Sequence, residues 1–312
     1  MTFFGNDNDG LDARRGAFGP DSFIGLPVSH LFDRSDSDVA ELLAAAEVLE
    51  VKNPAPPAWL PPLPKVFHWG YGIAEDEFRD RFPPVGEYLA SAGPSLFSCD
   101  LGPSARRHEG ILPTSPVMGR KALYERARAN MELLRSRYGG PVAFENYNFY
   151  PTGLYSKVCD PDFMAEFLDR FGAGLVLDLA HAAISALNMG FETERYLERL
   201  PLERTVEIHV SRPYLPEEPG RLGVDTHECP GDREWGWLSF VMERVSAAGA
   251  RPLVLIEYYK DLSVLKAAML RLAQELRGKA AATAAAAALP RRGADAAAFE
   301  DLGRLRAAAP RG

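Results

Sequence analysis

The stretch GLVLDLAHAAISALNMG, residues 174–190, decides the fold because its character changes in its middle. Residues 174–177 form a short apolar run typical of a buried parallel strand, and residues 180–187 are mostly good helix formers. Asp178 and His181 lie at the switch, where the carboxyl end of a strand can turn both side chains towards one point. Taken alone, the pair has two equally good explanations. Either Asp178 caps the helix and His181 is a packed histidine, or both residues are ligands.

The same alternation of apolar strand and helix recurs along the chain. The predicted strands cover, in order, residues 23–29, 48–51, 66–67, 95–98, 142–144, 174–177, 206–208 and 253–256. The predicted helices cover residues 38–46, 78–92, 121–138, 162–171, 180–187, 193–200, 237–248 and 262–276. Eight strands alternating with helices favour an α/β fold, a (β/α)8 TIM barrel. A doubly wound open sheet is the alternative, but the sequence contains no GxGxxG or GxxxxGK[ST] phosphate loop.

One catalytic domain, residues 21–277, accounts for these elements. Residues 1–20 are polar and Gly-rich and are predicted to be a flexible leader, whereas residues 278–312 are Ala/Arg-rich and are predicted to be a mobile tail. A long loop through His108 and Pro116 follows the fourth strand, and we expect it to form part of a substrate lid.

Composition narrows the class of protein and its partners. The formal net charge is -8 and the isoelectric point is near 5.4, which argues against binding to nucleic acid or to an anionic membrane. The three cysteines are widely spaced, as in proteins of a reducing compartment. Outside the Ala-rich tail, no uncharged apolar run approaches 18 residues. The sequence therefore predicts a cytoplasmic protein without a membrane partner.

Metal-capable side chains close six consecutive predicted strands, from the third to the eighth. They are His68, Asp100, Glu145, Asp178, His209 and Glu257, and His181, Asp225 and His227 follow in adjacent loops. The carboxyl ends of the strands of a closed parallel barrel meet at one mouth. Burying five carboxylates together is unfavourable unless cations compensate. The pattern therefore predicts a multinuclear site with two or three metal ions.

Seven motifs carry a resemblance to a known family. They are FHWGYG (67–72), FSCDLG (97–102), FENYNFY (144–150), LDLAHAAISALNMG (177–190), EIHVSRP (207–213), VDTHECP (224–230) and LIEYY (255–259). In this order they resemble the multinuclear non-heme iron-dependent oxidative enzymes, a family that includes the methanobactin biosynthesis oxidase. GLPVSHLF, residues 25–32, resembles the first strand of that family, and the resemblance covers about residues 23–265.

The resemblance implies a xylose-isomerase-like barrel with two or three iron ions of mixed Fe2+/Fe3+ state and dioxygen as co-substrate. Such enzymes modify ribosomally made precursor peptides, often at cysteine, commonly beside a small partner protein that binds the leader peptide. Carried over by position, it implies metal binding by His68, Glu145, Asp178, His181, His209, Asp225, His227 and Glu257. Asn146 and Asn188 match its accompanying asparagines, which we expect to orient the ligands.

Two positions depart from the family pattern. Asp100 stands where the family has a histidine, and Pro213 stands where a second histidine often follows the seventh strand. An oxygen donor at position 100 would favour a hard ion or leave its site weak, so the choice between two and three ions stays open. Arg212, next to Pro213, is a candidate for binding a substrate carboxylate, because a guanidinium matches it with two hydrogen bonds.

Two other classes of protein remain compatible with the residues. A zinc or manganese sugar isomerase, or a hydrolase resembling the apurinic-site endonucleases, carries a similar order of ligands, although the acidic chain disfavours a phosphate-backbone substrate. The third hypothesis is a barrel retained as a binding or scaffold protein after loss of a ligand at Asp100.

Overall fold

Eight parallel strands close into a barrel in the computed structural model, which describes residues 23–102, 119–218 and 220–287. The barrel strands are β1 (Phe23–Pro27), β2 (Val48–Val51), β3 (Lys65–Trp69), β4 (Leu96–Asp100), β5 (Val142–Glu145), β6 (Gly174–Asp178), β7 (Thr205–Val210) and β10 (Leu253–Ile256). Around the barrel they follow the order β1-β10-β7-β6-β5-β4-β3-β2. The predicted (β/α)8 TIM barrel is confirmed.

Helices cover the outside of the barrel. They are α1 (Ser37–Ala45), α2 (Phe78–Ala92), α3 (Arg120–Arg135), α4 (Tyr155–Val158), α5 (Pro161–Phe171), α6 (Leu179–Met189), α7 (Thr193–Arg199), α8 (Asp232–Ala247) and α9 (Leu262–Ala287). Several helices end as their sequences indicate. Gly172 and Gly190 follow α5 and α6 in left-handed backbone conformations, which glycine adopts without steric cost. No helix in the described ranges is long and apolar enough to span a bilayer.

Two sequence expectations differ from the structure. The segment after β7, predicted to be a long loop, contains an antiparallel hairpin of β8 (Arg212–Tyr214) and β9 (Val224–Glu228). The helix predicted to end at residue 276 continues to Ala287, because the alanines after Gly278 are strong helix formers. The predicted leader (1–20), the predicted substrate lid and the tail beyond residue 287 lie outside the described residues, and the domain boundaries stay a prediction.

The interior of the barrel has an apolar layer below a polar one. Val66, Leu96, Ala143 and Val176 belong to one apolar cluster of buried strand residues. Because side chains along a strand alternate between its two faces, the next inward position lies two residues further on. That step leads from Val66 to His68, from Ala143 to Glu145 and from Val176 to Asp178. The alternation thus places the polar side chains at the carboxyl ends of the strands, where the predicted mouth lies.

A contact between two glycines joins the loops that leave β3 and β4. A Cβ atom at Gly72 would lie 2.5 Å from Cα of Gly102, which itself has a φ of 49°. We therefore expect Gly72→Ala to destabilise the protein by about 1–3 kcal/mol, since backbone must move to accommodate the methyl group. Urea unfolding measures the effect. Gly70→Ala is the matched control, because a Cβ atom there meets nothing within 4 Å, and equal midpoints for the two variants would contradict the prediction.

Candidate metal centre

Glu145 links several histidines at the mouth of the barrel. It ends β5, is 3% exposed and contacts three histidines. Its Oε2 lies 3.3 Å from Nε2 of His68, and its Oε1 lies 3.1 Å from Nδ1 of His209 and 3.7 Å from Nδ1 of His181. Each oxygen of this carboxylate therefore faces a different set of imidazoles.

Alternating carboxylates and imidazoles continue from His181 into a closed ring. His181 Nε2 lies 3.5 Å from Oδ2 of Asp225, which in turn lies 3.2 Å from Nδ1 of His227. His227 Nε2 lies 3.3 Å from Oε2 of Glu257, and Oε1 of Glu257 lies 3.6 Å from Nδ1 of His209. Since His209 also contacts Glu145, the ring closes. We call these six residues the donor ring: Glu145, His181, Asp225, His227, Glu257 and His209.

The hairpin of β8 and β9 supplies the open side of the donor ring. The side chain of His227 is 33% exposed, whereas that of His209 is fully buried. His227 has a φ of 44°, a left-handed conformation that is uncommon for residues other than glycine. Such strain persists where the surrounding structure holds it and often marks functional residues. Access to the ring is therefore from the side of His227.

Asp178 caps a helix with one carboxylate oxygen and leaves the other oxygen unpaired. Its Oδ1 accepts a hydrogen bond of 2.7 Å from the backbone N–H of His181, which caps helix α6. Its Oδ2 is buried and has no hydrogen-bond partner among the described residues. One oxygen is thus used as a cap, and the other is available as a ligand.

The structure brings Asp100 to the edge of the site, beside His68. Asp100 pairs with Glu145 across the parallel strands β4 and β5, and both are buried. In the described residues, donor atoms lie within 4.8 Å of one another in three overlapping groups. These groups are Glu50, His68 and His209; His68, Asp100 and Glu145; and Glu145, Asp178 and His209.

Burial and neighbouring charges shift the pKa values of the carboxylates in different directions. Burial would raise the pKa of Glu145, but the charge on His68 and a hydrogen bond with His209 hold that pKa well below its usual range. Burial and then the negative charge of Glu145 raise the pKa of Asp100 to about 7. Burial also raises the pKa of Asp178 to about 6, although His181 opposes the shift. The centre thus combines a carboxylate that is ionised at acidic pH with two carboxyl groups that release their protons between about pH 6 and 7.

The residues present fit a metal site. Asp178 Oδ2, both oxygens of Glu50 and Oε2 of Glu207 are buried without a hydrogen-bond partner among the described residues. Leaving a buried polar group unpaired is costly unless something compensates it. Imidazole nitrogens and carboxylate oxygens together are the ligands that iron, manganese and zinc accept. The donor ring, with His68, Asp100 and Asp178 beside it, supplies both types.

Sequence reasoning missed a polar layer beneath the donor ring. Glu50 of β2 and Glu207 of β7 are fully buried and contact Nε2 of His209, at 3.4 and 3.0 Å. Lys52 contacts Glu257 and lies 3.6 Å from Oε2 of Glu50. The sequence contains two signals of this layer. One is Glu50, the lone charged residue inside the apolar run VLEV, and the other is Glu207, two residues before His209.

The two predicted asparagines hold loops in place. Asn146 donates to the carbonyl of Asp178 (2.9 Å) and accepts from its N–H (2.7 Å), so it joins the ends of β5 and β6. The carbonyl of Asn146 also lies 3.0 Å from Nδ1 of His181. Asn188 donates to the carbonyl of Phe149 and accepts from the N–H of Gly223, which links the loop after β5 to the hairpin. Their assignment as ligand-orienting residues stays a prediction.

Arg212 lies on β8 with an exposed side chain. A Cβ atom at Gly231 would lie 3.9 Å from its Nη1, so the guanidinium extends towards the start of α8. Its predicted contact with a substrate carboxylate stays a prediction.

Replacing Asp100 with asparagine tests the electrostatics of the metal-free site. A carboxyl whose folded pKa is raised to about 7 binds its proton more tightly in the folded than in the unfolded state. The stability of the wild type should therefore fall, relative to Asp100→Asn, as pH rises from 4 to 7, by on the order of 1 kcal/mol per pH unit. Urea unfolding of chelator-treated proteins measures this difference. Parallel stability curves for the two proteins over this range would contradict the shift.

Fold and site together define a class. A closed parallel barrel with imidazoles and carboxylates at the carboxyl ends of its strands is a TIM barrel with a potential metal site. Residues 85–279 match the sequence model of the family described as RiPP precursor modification enzyme MbnB/TglH/ChrH. The match covers more than half of the chain, so the chain belongs to this family.

Bacterial relatives carry only a family number as a description. A UPF0276 protein of Caulobacter sp. strain K31 is 32% identical over 188 residues, which cover 59% of this chain and 62% of the relative. A UPF0276 protein of Paraburkholderia phytofirmans is 32% identical over 195 residues, which cover 59% of this chain and 58% of the relative. The chain thus spans about three fifths of the length of these relatives.

Solved structures share the fold at low sequence identity. The 3-keto-D-glucoside 4-epimerase of E. coli has a TM-score of 0.53 at 14% identity, covering 81% of this chain and 98% of that one. A xylose isomerase-like TIM barrel protein of Mycobacterium smegmatis, in complex with magnesium, has a TM-score of 0.52 at 14% identity, covering 82% and 96%. These likenesses establish the fold alone.

Proposed function

We propose that the chain is a multinuclear non-heme iron oxidase that uses dioxygen to modify a ribosomally synthesised precursor peptide. The reaction would take place at or next to a metal-anchored side chain of the peptide, such as cysteine. The observation that carries the proposal is the donor ring, which closes through six contacts at the mouth of a barrel of this family. Iron bound there would supply the activation of dioxygen.

The donor set supports more than one ion. The residues proposed to hold iron are His68, Asp100, Glu145, Asp178, His181, His209, Asp225, His227 and Glu257. Nine donors exceed what one ion takes, and the two oxygens of Glu145 face different imidazoles. Asp100 decides between two and three ions, because it replaces the nitrogen donor that the family pattern has at this position.

Residues of this chain would also prepare the site for a peptide. Asn146 fixes the backbone of Asp178, while the buried strands keep bulk water from the floor of the site. Beside the exposed edge of the ring, Tyr214 and Val224 pair across the hairpin and leave large apolar side chains exposed. Leu187 lies next to the same hairpin. This surface supports binding of a peptide segment with apolar side chains.

A partner and a compartment belong to the same proposal. A small protein that binds the leader peptide would deliver the substrate, as the family resemblance implies. All three cysteines, Cys99, Cys159 and Cys229, are free thiols, which supports a reducing compartment and hence the cytoplasm.

Metal analysis and peptide mass spectrometry test the proposal. The protein is purified without oxygen, loaded with ferrous iron and incubated with dioxygen and a candidate peptide from a neighbouring short reading frame. We expect about two or more iron ions per chain and a change in peptide mass that needs both iron and dioxygen. Zinc as the sole metal, with sugar isomerisation or cleavage of abasic DNA, would overturn it. Less than about one ion per chain would instead favour a scaffold protein.

A further inference from the structure

His209 has a carboxylate on each side of its ring. Nδ1 lies 3.1 Å from Glu145 and 3.6 Å from Glu257, which are both members of the donor ring. Nε2 lies 3.0 Å from Oε1 of Glu207, a residue outside the donor ring. Both His209 and Glu207 are fully buried, so neither can exchange its partner for bulk water.

Glu207 lies one inward position below His209 on β7. Its Cα atom is in register with Val176 of β6 and with Leu253 of β10, which belong to the apolar layer of the barrel. Within the described residues, Glu207 belongs to none of the three groups whose donor atoms lie within 4.8 Å of one another. A fully buried carboxylate in an apolar layer is costly, and its one hydrogen-bond partner in the described structure is His209.

Glu50 also approaches Nε2 of His209, but less closely. Its Oε1 lies 3.4 Å away, whereas the other oxygen is 3.6 Å from the ammonium group of Lys52. The geometry of a hydrogen bond therefore favours Glu207 as the acceptor.

We propose that Glu207 is a positioning residue that accepts the Nε2–H of His209 and thereby directs the Nδ1 lone pair into the donor ring. A neutral imidazole carries one N–H, so fixing it on Nε2 makes Nδ1 the ligating atom. A carboxylate behind a ligating histidine also raises the basicity of that ligand. The inference rests on the metal site of the proposed function, and it names the ligating atom of His209 and the residue that selects it.

Glu207→Gln is the primary test, because it keeps the shape of the side chain and removes its charge. The affinity for Co2+, measured by competition with a chelator, is expected to fall about 10–100-fold. The visible absorption spectrum of the Co2+-loaded protein should change, since loss of the carboxylate charge lowers the basicity of one nitrogen ligand. Glu207→Asp keeps the charge on a shorter side chain and should retain more of the affinity; it also serves if Glu207→Gln does not fold.

Thr205→Val is the matched control on the same strand. Thr205 is buried two residues before Glu207, and its hydroxyl has no hydrogen-bond partner among the described residues. Its replacement should leave both the Co2+ affinity and the spectrum at their wild-type values.

A double-mutant cycle separates positioning from a general structural role. If Glu207 acts through His209, then Glu207→Gln should have no further effect on Co2+ affinity in a His209→Ala background. An equal loss in both backgrounds would overturn the proposal, as would a Glu207→Gln protein with wild-type affinity and spectrum. Those results leave the proposed function standing. Failure of the wild type to bind any metal would instead sink the proposed function and this inference with it.

Discussion

Glu145→Gln is expected to lower the affinity of the protein for iron by more than ~100-fold, since even partners of ligands contribute 10–100-fold. Glu145 contacts three of the four histidines of the site, and both of its oxygens face imidazole nitrogens. Loss of its charge also leaves those histidines without their shared counter-charge. We therefore expect the metal-free variant to unfold more easily, by about 3–5 kcal/mol. Iron content after anaerobic loading and urea unfolding measure the two effects.

Glu234→Gln provides the matched control for this prediction. Glu234 is as deeply buried as Glu145, but its carboxylate accepts hydrogen bonds from the N–H of Gly231 at the start of α8 and from Arg233, neither of which belongs to the donor ring. The amide of glutamine can still accept the bond from Gly231, so iron content should match that of the wild type. A Glu145→Gln protein that loads iron as the wild type does would show that the donor ring is not the metal site.

Most of the barrel follows from the order of strands and helices, because parallel strands need helical crossovers and their carboxyl ends must meet. For that reason Glu145, Asp178 and Glu257 could be predicted to converge without any knowledge of contacts. The hairpin could not be predicted as readily. Its strands are short, and β9 is at least partly exposed along its whole length, so it lacks the apolar run that identified the barrel strands.

The polar layer under the donor ring could not be predicted from the sequence for a different reason. In short strands such as β2, four buried residues in succession give no alternation that tells inward from outward positions. Glu50 could be placed only once the register of β2 against β1 and β3 was known. Glu207 likewise required the register of β7 against its neighbours, including the irregularity beside Val176. Asp178 illustrates a further limit, because a sequence does not show that two oxygens of one carboxylate can take separate roles.

Adding ferrous iron to chelator-treated protein is expected to raise its melting temperature by on the order of 10 °C at pH 8. A ligand present at about 1,000 times its dissociation constant stabilises the folded state by ~4 kcal/mol. For a large domain, each kcal/mol corresponds to roughly 2–4 °C. The buried Oδ2 of Asp178, which has no hydrogen-bond partner among the described residues, makes the metal-free centre an unfavourable arrangement that a cation relieves. Differential scanning calorimetry without oxygen measures the shift, and Glu145→Gln should lack it.

The shift should be much smaller at pH 5.5, because ligand protons compete with the metal. The pKa of Asp100 is raised to about 7 and that of Asp178 to about 6, so both hold protons at pH 5.5 and release them by pH 8. Because the pKa values of these two carboxyl groups are raised, the stability of the metal-free protein falls as pH rises. The raised pKa of His209 changes stability in the same direction, since its stabilising charge is lost at high pH. Glu145, whose pKa is held low, is ionised at both pH values and leaves the comparison unchanged. At pH 8 the metal-free protein is therefore less stable and metal binding is stronger, and both effects favour a larger shift in melting temperature. An equal shift at the two pH values would contradict the assignment of Asp100 and Asp178 to the centre.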